Sequence, residues 1–156
     1  MTKPAILVSF FTNDWEYPEY AEMLKQDCNK LNISYMIQEL PSAGGYLQNT
    51  CLKPQYILHC LETLKRPILW VDVDGSILKN PDFFGMLCSD VDIAAKRMSS
   101  TRNRTWHVGT MWFNYNQKVL DFVRRWVELS KDWSDESALE VLIREQPNVN
   151  IIDIPP

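Results

Sequence analysis

The stretch PILWVDVDGSILKNPDFF at residues 67–84 decides the fold of this chain. Its apolar residues 68–71 are too few for a helix and are of strand-favouring types, which predicts a strand buried on both faces. Asp72 and Asp74 follow, two positions apart, so both carboxylates leave the same face of an extended chain. Gly75 then turns the chain, so two acids mark the carboxyl end of a central strand.

Two acids at this place fit a metal site. In an open α/β sheet, ligands bind beyond the carboxyl ends of the strands. Asp72 and Asp74 offer only oxygen, which suits Mg²⁺ or Mn²⁺, and such a cation in turn suits a diphosphate. Asp and Gly are also common turn formers at a strand end, so the same residues fit an ordinary turn without a metal.

Length and charge limit the classes of function. The chain has 156 residues and a formal net charge of −4. This length fits one domain, residues 1–156, with a core of its own, and the acidic balance gives no general attraction for nucleic acid or anionic membranes. The N-terminus MTKPAILVSFF lacks the features of a signal peptide, and no apolar run approaches the about 20 residues that span a bilayer. We expect a cytoplasmic protein without a membrane span.

The four cysteines point to a reducing compartment. They show no C-x-x-C spacing, and the sequence holds only two histidines, which makes a zinc site a poor interpretation. Buried, reduced thiols are the simplest expectation. The cysteines are Cys28, Cys51, Cys60 and Cys88.

The order of apolar runs, helical periodicities and polar breaks predicts the architecture. We predict strands at 5–11, 33–40, 68–71, 92–95, 108–115 and 149–154, helices at 18–31, 50–65 and 117–133, a short helix from Asn80, a helix after Ser134, and loops at 41–49 and 96–106. Strands alternating with helices indicate a single Rossmann-like α/β domain, with a mainly parallel sheet flanked by helices.

Several single residues add detail to the predicted helices and strands. Asn116 and Ser134 are suited to cap the helices that follow them. Asp135 and Glu136 stand in the first turn after Ser134, where acids are favourable partners of the helix dipole or groups placed at a site. Gly109 indicates a close backbone approach or a bulge in its strand.

The loop at 96–106, KRMSSTRNRTW, holds the densest positive charge in the chain. Lys96, Arg97, Arg102 and Arg104 fit a solvated surface loop. They also fit a lid over a diphosphate site, because phosphate oxygens match guanidinium donors.

Several segments together resemble a known family, the GT-A-fold nucleotide-diphospho-sugar glycosyltransferases, which include glycogenin-like and lipopolysaccharide galactosyltransferase-like enzymes. The resemblance covers roughly residues 5–154, and it lies in the order and spacing of segments. These segments are Lys53-Pro54 with Ile57, ILWVDVDGSILKNPDFF, Asp92-Ile93-Ala94-Ala95, VGTMWFNYN, and Asp135-Glu136 followed by Ala138-Leu139.

The resemblance implies a metal and a donor. Asp72 and Asp74 match the family's Asp-x-Asp motif, in which the second acid binds Mn²⁺ or Mg²⁺ and the first contacts the metal and the donor ribose. His107 or water would complete the coordination, because many relatives supply a third ligand, a His, from a segment that would follow Pro156. The donor is a nucleotide-diphosphate sugar, and a uridine diphosphate sugar is the family's commonest choice.

Further positions carry over by the same resemblance. Lys53 matches a basic position that approaches the donor, and Gly109 with Thr110 matches the strand start beside the donor sugar. Asn13 and Asp14 would lie by the nucleotide base.

Asp135 and Glu136 match an Asp-Gln pair near the reacting sugar, where they would support positive charge on the sugar or take the acceptor proton. Arg102 or Arg104 could add charge stabilisation. The resemblance does not decide whether the acceptor is a glycan, a protein or a modified nucleic-acid base. It does not decide the oligomeric state either.

The departures from the family leave alternatives. Glu136 stands where relatives often have Gln, and His107 where many have Asn. The sequence has no segment after Pro156 to supply the third ligand, so weak metal binding, lost activity or a non-catalytic nucleotide-sugar-binding relative also fit. Asp-x-Asp-Gly-Ser also resembles the first motif of haloacid-dehalogenase-type phosphatases, with Asp72 as nucleophile and Asp74 as acid/base. That class needs a Lys and an acidic pair downstream, for which Lys118 and Asp153 are poor candidates.

Overall fold

The computed structural model describes residues 4–87, 89–98 and 105–155. In chain order its elements are β1 (Ile6–Phe11), α1 (Tyr17–Lys30), β2 (Tyr35–Glu39), α2 (Tyr46–Thr50), α3 (Leu52–Leu64), β3 (Ile68–Val71), a 3₁₀ helix (Asp82–Met86), β4 (Ile93–Arg97), β5 (Trp106–Phe113), α4 (Gln117–Leu129), α5 (Asp135–Glu145) and β6 (Ile151–Asp153).

The strands form one sheet of six, in the order β2-β1-β3-β5-β4-β6. β1 pairs in parallel with β2 and β3, and β4 pairs in parallel with β6. β5 is antiparallel to both β3 and β4, because the short connection between β4 and β5 cannot make the crossover that a parallel pair needs. The predicted α/β fold with a mainly parallel sheet is therefore confirmed, with one antiparallel strand that the sequence did not reveal.

Helices cover both faces of this sheet. All four residues of β3 are buried, with Ile68 and Trp70 in the core on the α3, α4 and α5 side and Leu69 and Val71 in the core on the α1 side. Alternate side chains of a strand point to opposite faces. The prediction of a strand buried on both faces is confirmed, and it fixes where Asp72 leaves the sheet.

Both predicted helix caps are present. The Asn116 side chain accepts a hydrogen bond from the Val119 amide at 2.8 Å, and the Ser134 hydroxyl accepts one from the Ser137 amide at 3.3 Å. These side chains satisfy amides that a helix start leaves without a partner. They fix the start of α4 and of α5.

Most boundaries differ from the prediction by one or two residues, and three differences are larger or lie near the site. The loop predicted at 41–49 contains most of α2, and α4 ends at Leu129 rather than at residue 133, because the chain turns there to reach the Ser134 cap. β4 runs on to Arg97 and β5 begins at Trp106. The loop predicted at 96–106 is therefore shorter, because residues at both of its ends pair with each other in the sheet.

The thiols are largely as expected. Cys28, Cys51 and Cys60 are free, and Cys28 and Cys60 are buried. Burial raises the pKa of Cys28 to about 11 and that of Cys60 to about 12, so both stay protonated at neutral pH. Cys88 lies outside the described residues. None of the described helices combines the length and apolar character needed to cross a bilayer.

Candidate active site

A cleft of about 380 Å³ opens at the carboxyl ends of β1 and β3. These neighbouring strands lie where the chain order reverses, since β2 flanks β1 on the other side, and ligands of open α/β sheets bind at such a switch point. The cleft is lined by five of the predicted site residues, which are Lys53, Asp72, Asp74, Asp135 and Glu136.

Lys53 joins two of the predicted acids. Its Nζ lies 2.9 Å from Oδ1 of Asp72 and 2.8 Å from Oδ2 of Asp135, and it donates to the Val108 carbonyl at 3.4 Å. The Lys53 side chain is only 7% exposed and that of Asp135 only 5%. The predicted donor-binding lysine is therefore a buried ion-pair centre in the floor of the cleft.

The charge state of Lys53 follows from this arrangement. Burial by itself would lower the pKa of the Lys53 ammonium, but the nearby Asp72 and Asp135 carboxylates outweigh it and raise the pKa above its ordinary value of 10.5. The ammonium is thus charged at neutral pH and forms ion pairs with both side chains.

Asp72 is held on several sides. Its Oδ1 accepts a hydrogen bond from Trp70 Nε1 at 2.9 Å, its amide donates to the Gly109 carbonyl at 2.8 Å, and its own carbonyl accepts from the Gly75 amide at 2.8 Å. The predicted turn at Gly75 is confirmed. Sequence reasoning missed Trp70, although its position two residues before Asp72 on one strand places both side chains on the same face.

Gly109 lies in a bulge of β5, close to the side chains of His107 and Asp72. The pairing of β4 with β5 shifts from Ala95–Met111 to Lys96–His107, so residues 108–110 have no counterpart in β4. A Cβ on Gly109 would collide with the His107 ring and lie 3.2 Å from Oδ2 of Asp72. The predicted bulge is confirmed, and the atoms that crowd Gly109 belong to the side chains of His107 and Asp72, which this glycine brings next to each other.

The predicted metal ligands are only partly assembled. Asp74 is exposed and lines the cleft, and its carboxylate has no hydrogen bond in the described part of the chain. His107 is exposed, and its Nδ1 accepts from the Gly109 amide at 3.1 Å. Within residues 4–87, 89–98 and 105–155, no three His, Cys, Asp or Glu side chains form a group able to hold a metal ion.

Asp135 is fixed at the first position of α5. Ser134 caps this helix, and Trp126 Nε1 donates to the Asp135 carbonyl at 2.8 Å. The side chain is buried against Lys53, so Asp135 combines the favourable helix-dipole position with a place in the cleft. Glu136 is half-buried and also lines the cleft.

A second polar cluster, which sequence reasoning missed, lies on the wall of the cleft and centres on Asn49. Asn49 Nδ2 donates to Asp14 Oδ2 at 3.1 Å and to the Thr12 hydroxyl at 3.4 Å, and Asn49 Oδ1 accepts from the Ala43 amide at 2.7 Å. Hydrogen bonds from Ser42, Thr12 and Asn49 lower the pKa of Asp14. No local pattern distinguished Asn49, because its burial depends on α2.

The other predicted donor residues are less central. Asn13 is exposed and Thr110 pairs with Val71 in the sheet, and neither lines the cleft. Arg102 and Arg104 lie outside the described residues.

The two residues weighed for a phosphatase lie elsewhere. Lys118 Nζ is 2.8 Å from Oδ2 of Asp92, and Asp153 Oδ1 accepts from the Arg97 amide at 2.8 Å. Neither Lys118 nor Asp153 lines the cleft that contains Asp72.

Comparison with solved structures shows that this is the fold of glycosyltransferases. A glycosyltransferase involved in the glycosylation of the major capsid of PBCV-1 superposes with a TM-score of 0.74 at 12% sequence identity, over 98% of this chain and 82% of that one. GlyE of Streptococcus pneumoniae TIGR4 gives TM-scores of 0.65 and 0.64 at 14% identity. This chain is covered over 97% in both cases and spans 46% and 45% of the GlyE chains. No family model and no curated protein sequence matches the chain.

Proposed function

We propose that this protein is a glycosyltransferase that binds a nucleotide-diphosphate sugar in the cleft and moves the sugar to an acceptor hydroxyl. The observation that carries the proposal is Lys53, buried and bonded to both Asp72 and Asp135, at the switch point of a fold that known glycosyltransferases share. This arrangement unites the end of the Asp-x-Asp strand with the first turn of α5, which are the segments where donor and reacting sugar are expected.

The charge of the cleft supports a metal-dependent donor. The described lining carries Asp72, Asp74, Asp135 and Glu136 against the single cation Lys53. A diphosphate would be repelled by this lining unless a cation came with it. We propose that Mn²⁺ or Mg²⁺ is that cation, as carboxylate oxygens are the ligands that both ions prefer.

Two carboxylates are suited to hold the ion. Asp72 uses Oδ1 for Lys53 and Trp70, which leaves Oδ2, and the Asp74 carboxylate is exposed in the same cleft. His107, next to Asp72, is the further candidate in the chain, with donor oxygens or water as the remaining ligands. A bound ion would neutralise the leaving diphosphate as the sugar–oxygen bond breaks.

The remaining residues have distinct proposed roles. Lys53 orients Asp135 through their ion pair, so that Asp135 and the adjacent Glu136 can support positive charge on the sugar or take the acceptor proton. Asp14, which Asn49 holds by a hydrogen bond, is proposed to lie by the nucleotide base. Arg102 and Arg104 are proposed to contact the diphosphate.

A turnover assay tests this function. The protein is incubated with UDP- and GDP-sugars, Mn²⁺ and a mixture of acceptors, and nucleoside diphosphate release is followed by mass spectrometry. We expect release by the wild type, and a loss of at least a hundredfold in Asp135→Asn.

The same preparation is tested with p-nitrophenyl phosphate. Phosphatase activity that disappears in Asp72→Asn, without nucleoside diphosphate release, would contradict the proposal and favour the hydrolase. Nucleotide binding without turnover of any donor would favour the non-catalytic relative.

A further inference from the structure

We propose that one side of the cleft mouth is an acceptor subsite for a neutral saccharide, formed by Tyr46, Leu47 and Trp133. This inference rests on the proposed glycosyl transfer and names the acceptor class that the transfer leaves open. We call these three side chains the apolar rim.

The apolar rim consists of large side chains that remain in water. Tyr46 is 61%, Leu47 63% and Trp133 55% exposed. Tyr46 and Leu47 belong to α2 and line the cleft, and Trp133 directly precedes Ser134 and Asp135, which line it too. Adjacent exposed apolar side chains at the edge of a polar cleft mark a binding surface.

One contact joins the two segments that carry the rim. The Cys51 Sγ lies within hydrogen-bond distance of two carbonyl oxygens, that of Leu47 at 3.3 Å and that of Trp133 at 3.7 Å. The end of α2 therefore lies against the connection between α4 and α5. The rim is continuous with the part of the cleft that holds Asp135 and Glu136, where an acceptor hydroxyl would have to approach.

A buried side chain holds the part of the rim that belongs to α2. Asn49, on the same short helix as Tyr46 and Leu47, is only 8% exposed and is bonded to Asp14 and to the Ala43 amide. A short helix pinned in this way presents its exposed side chains in one arrangement, which reduces the entropy lost on binding.

The charge of the cleft and the small size of the apolar rim indicate which class of acceptor binds there. The described lining has four acids against Lys53, which disfavours acceptors that carry phosphate, such as a nucleic acid. Three side chains are too few for a stable protein–protein interface, which buries about 800 Å² on each partner. A neutral sugar ring fits both limits, because its C–H face packs on an aromatic ring and its hydroxyls donate to carboxylates.

Saturation-transfer NMR tests the apolar rim directly. The protein is saturated with Mg²⁺, which is diamagnetic, and with UDP or GDP, and a panel of methyl glycosides and short neutral oligosaccharides is screened. We expect at least one saccharide to bind, with roughly tenfold weaker affinity in Trp133→Ala and near-normal affinity in Trp133→Phe. Leu78→Ala removes an even more exposed apolar side chain that does not line the cleft, and it should leave the affinity unchanged.

Three results would overturn the inference. They are binding of no saccharide while the nucleotide binds, saccharide affinity unchanged in Trp133→Ala, and selective binding of a random peptide mixture or of RNA oligonucleotides. Nucleotide affinity, measured on the same samples by calorimetry, separates the two proposals. Saccharide binding without any nucleotide binding would contradict the proposed function and keep the apolar rim as a sugar site.

Discussion

Lys53 and Asp135 form an ion pair in which Nζ lies 2.8 Å from Oδ2 and both side chains are almost completely buried. The same ammonium holds Asp72, so one cation connects α3, the end of β3 and the start of α5. Removing one partner of a buried ion pair is costly, because it leaves a charge without compensation in a poorly solvated place.

Lys53→Met is therefore expected to destabilise the fold by about 3–5 kcal/mol, measured by urea unfolding at neutral pH. Lys131→Met is the matched control, since Lys131 is exposed and has no ion pair in the described part of the chain, and its effect should stay within about 0.5 kcal/mol. Equal stability of the two variants would show that the Lys53 ion pairs do not support the site.

Gly109→Ala is expected to disturb the site more than the fold. The added methyl group meets the His107 ring and Oδ2 of Asp72, so His107 must move and the cost is about 1–3 kcal/mol. Gly85→Ala is the control, because a Cβ there has no atom within 4 Å. Histidine NMR shifts at His107 that stay unchanged in Gly109→Ala would contradict the described bulge.

Asn49→Ala is expected to loosen the wall of the cleft. The Ala43 amide loses its acceptor and Asp14 loses a donor, so amide hydrogen exchange at Ala43 should accelerate and nucleotide affinity should fall. The loss of a buried hydrogen-bonding group should cost about 1–3 kcal/mol. Unchanged exchange at Ala43 would contradict this role of Asn49.

Asp92 gives the fold a defined acid sensitivity. Burial alone would raise the pKa of Asp92, but hydrogen bonds from Lys118, the Asn150 amide and Asn116 outweigh it and lower the pKa below its ordinary value of 3.8. The native state thus binds this proton less readily than the unfolded state. The ionised Asp92 therefore stabilises the fold fully at pH values above its pKa in the unfolded state. This stabilisation is lost as the pH falls through the lower pKa that Asp92 has in the native state.

The test compares Asp92→Asn with the wild type in urea unfolding between neutral pH and pH 3. We expect a deficit of about 2–3 kcal/mol at neutral pH that shrinks below about pH 4. Asp82→Asn changes an exposed acid and should show neither effect. A deficit that is constant over the whole range would contradict the lowered pKa of Asp92.

Local signals explain what the sequence predicted well. Some features can be recognised from the residues next to them in the chain, and the structure has them where they were expected. They are the buried run 68–71, the caps Asn116 and Ser134, and Gly109. The resemblance added the pairing of Asp72 with Asp135 in one site, and both line the same cleft.

What the sequence missed depends on contacts between distant segments. Asn49 looks like an ordinary loop residue until α2 folds against Thr12 and Asp14. The antiparallel direction of β5 was missed for a different reason: it follows from the short connection between β4 and β5, which the prediction did not use. The role of Lys53 as an ion-pair centre required both acids to be placed first.

The most direct test of the central claim is a calorimetric titration with UDP and with GDP, each with and without Mn²⁺. The wild type is compared with Asp74→Ala and with Asp82→Ala, which removes an exposed acid that does not line the cleft. A metal-dependent donor site predicts that one nucleotide binds only with Mn²⁺, and that this binding is lost in Asp74→Ala and kept in Asp82→Ala. Binding of neither nucleotide under any condition, or equal binding by Asp74→Ala, would contradict the account.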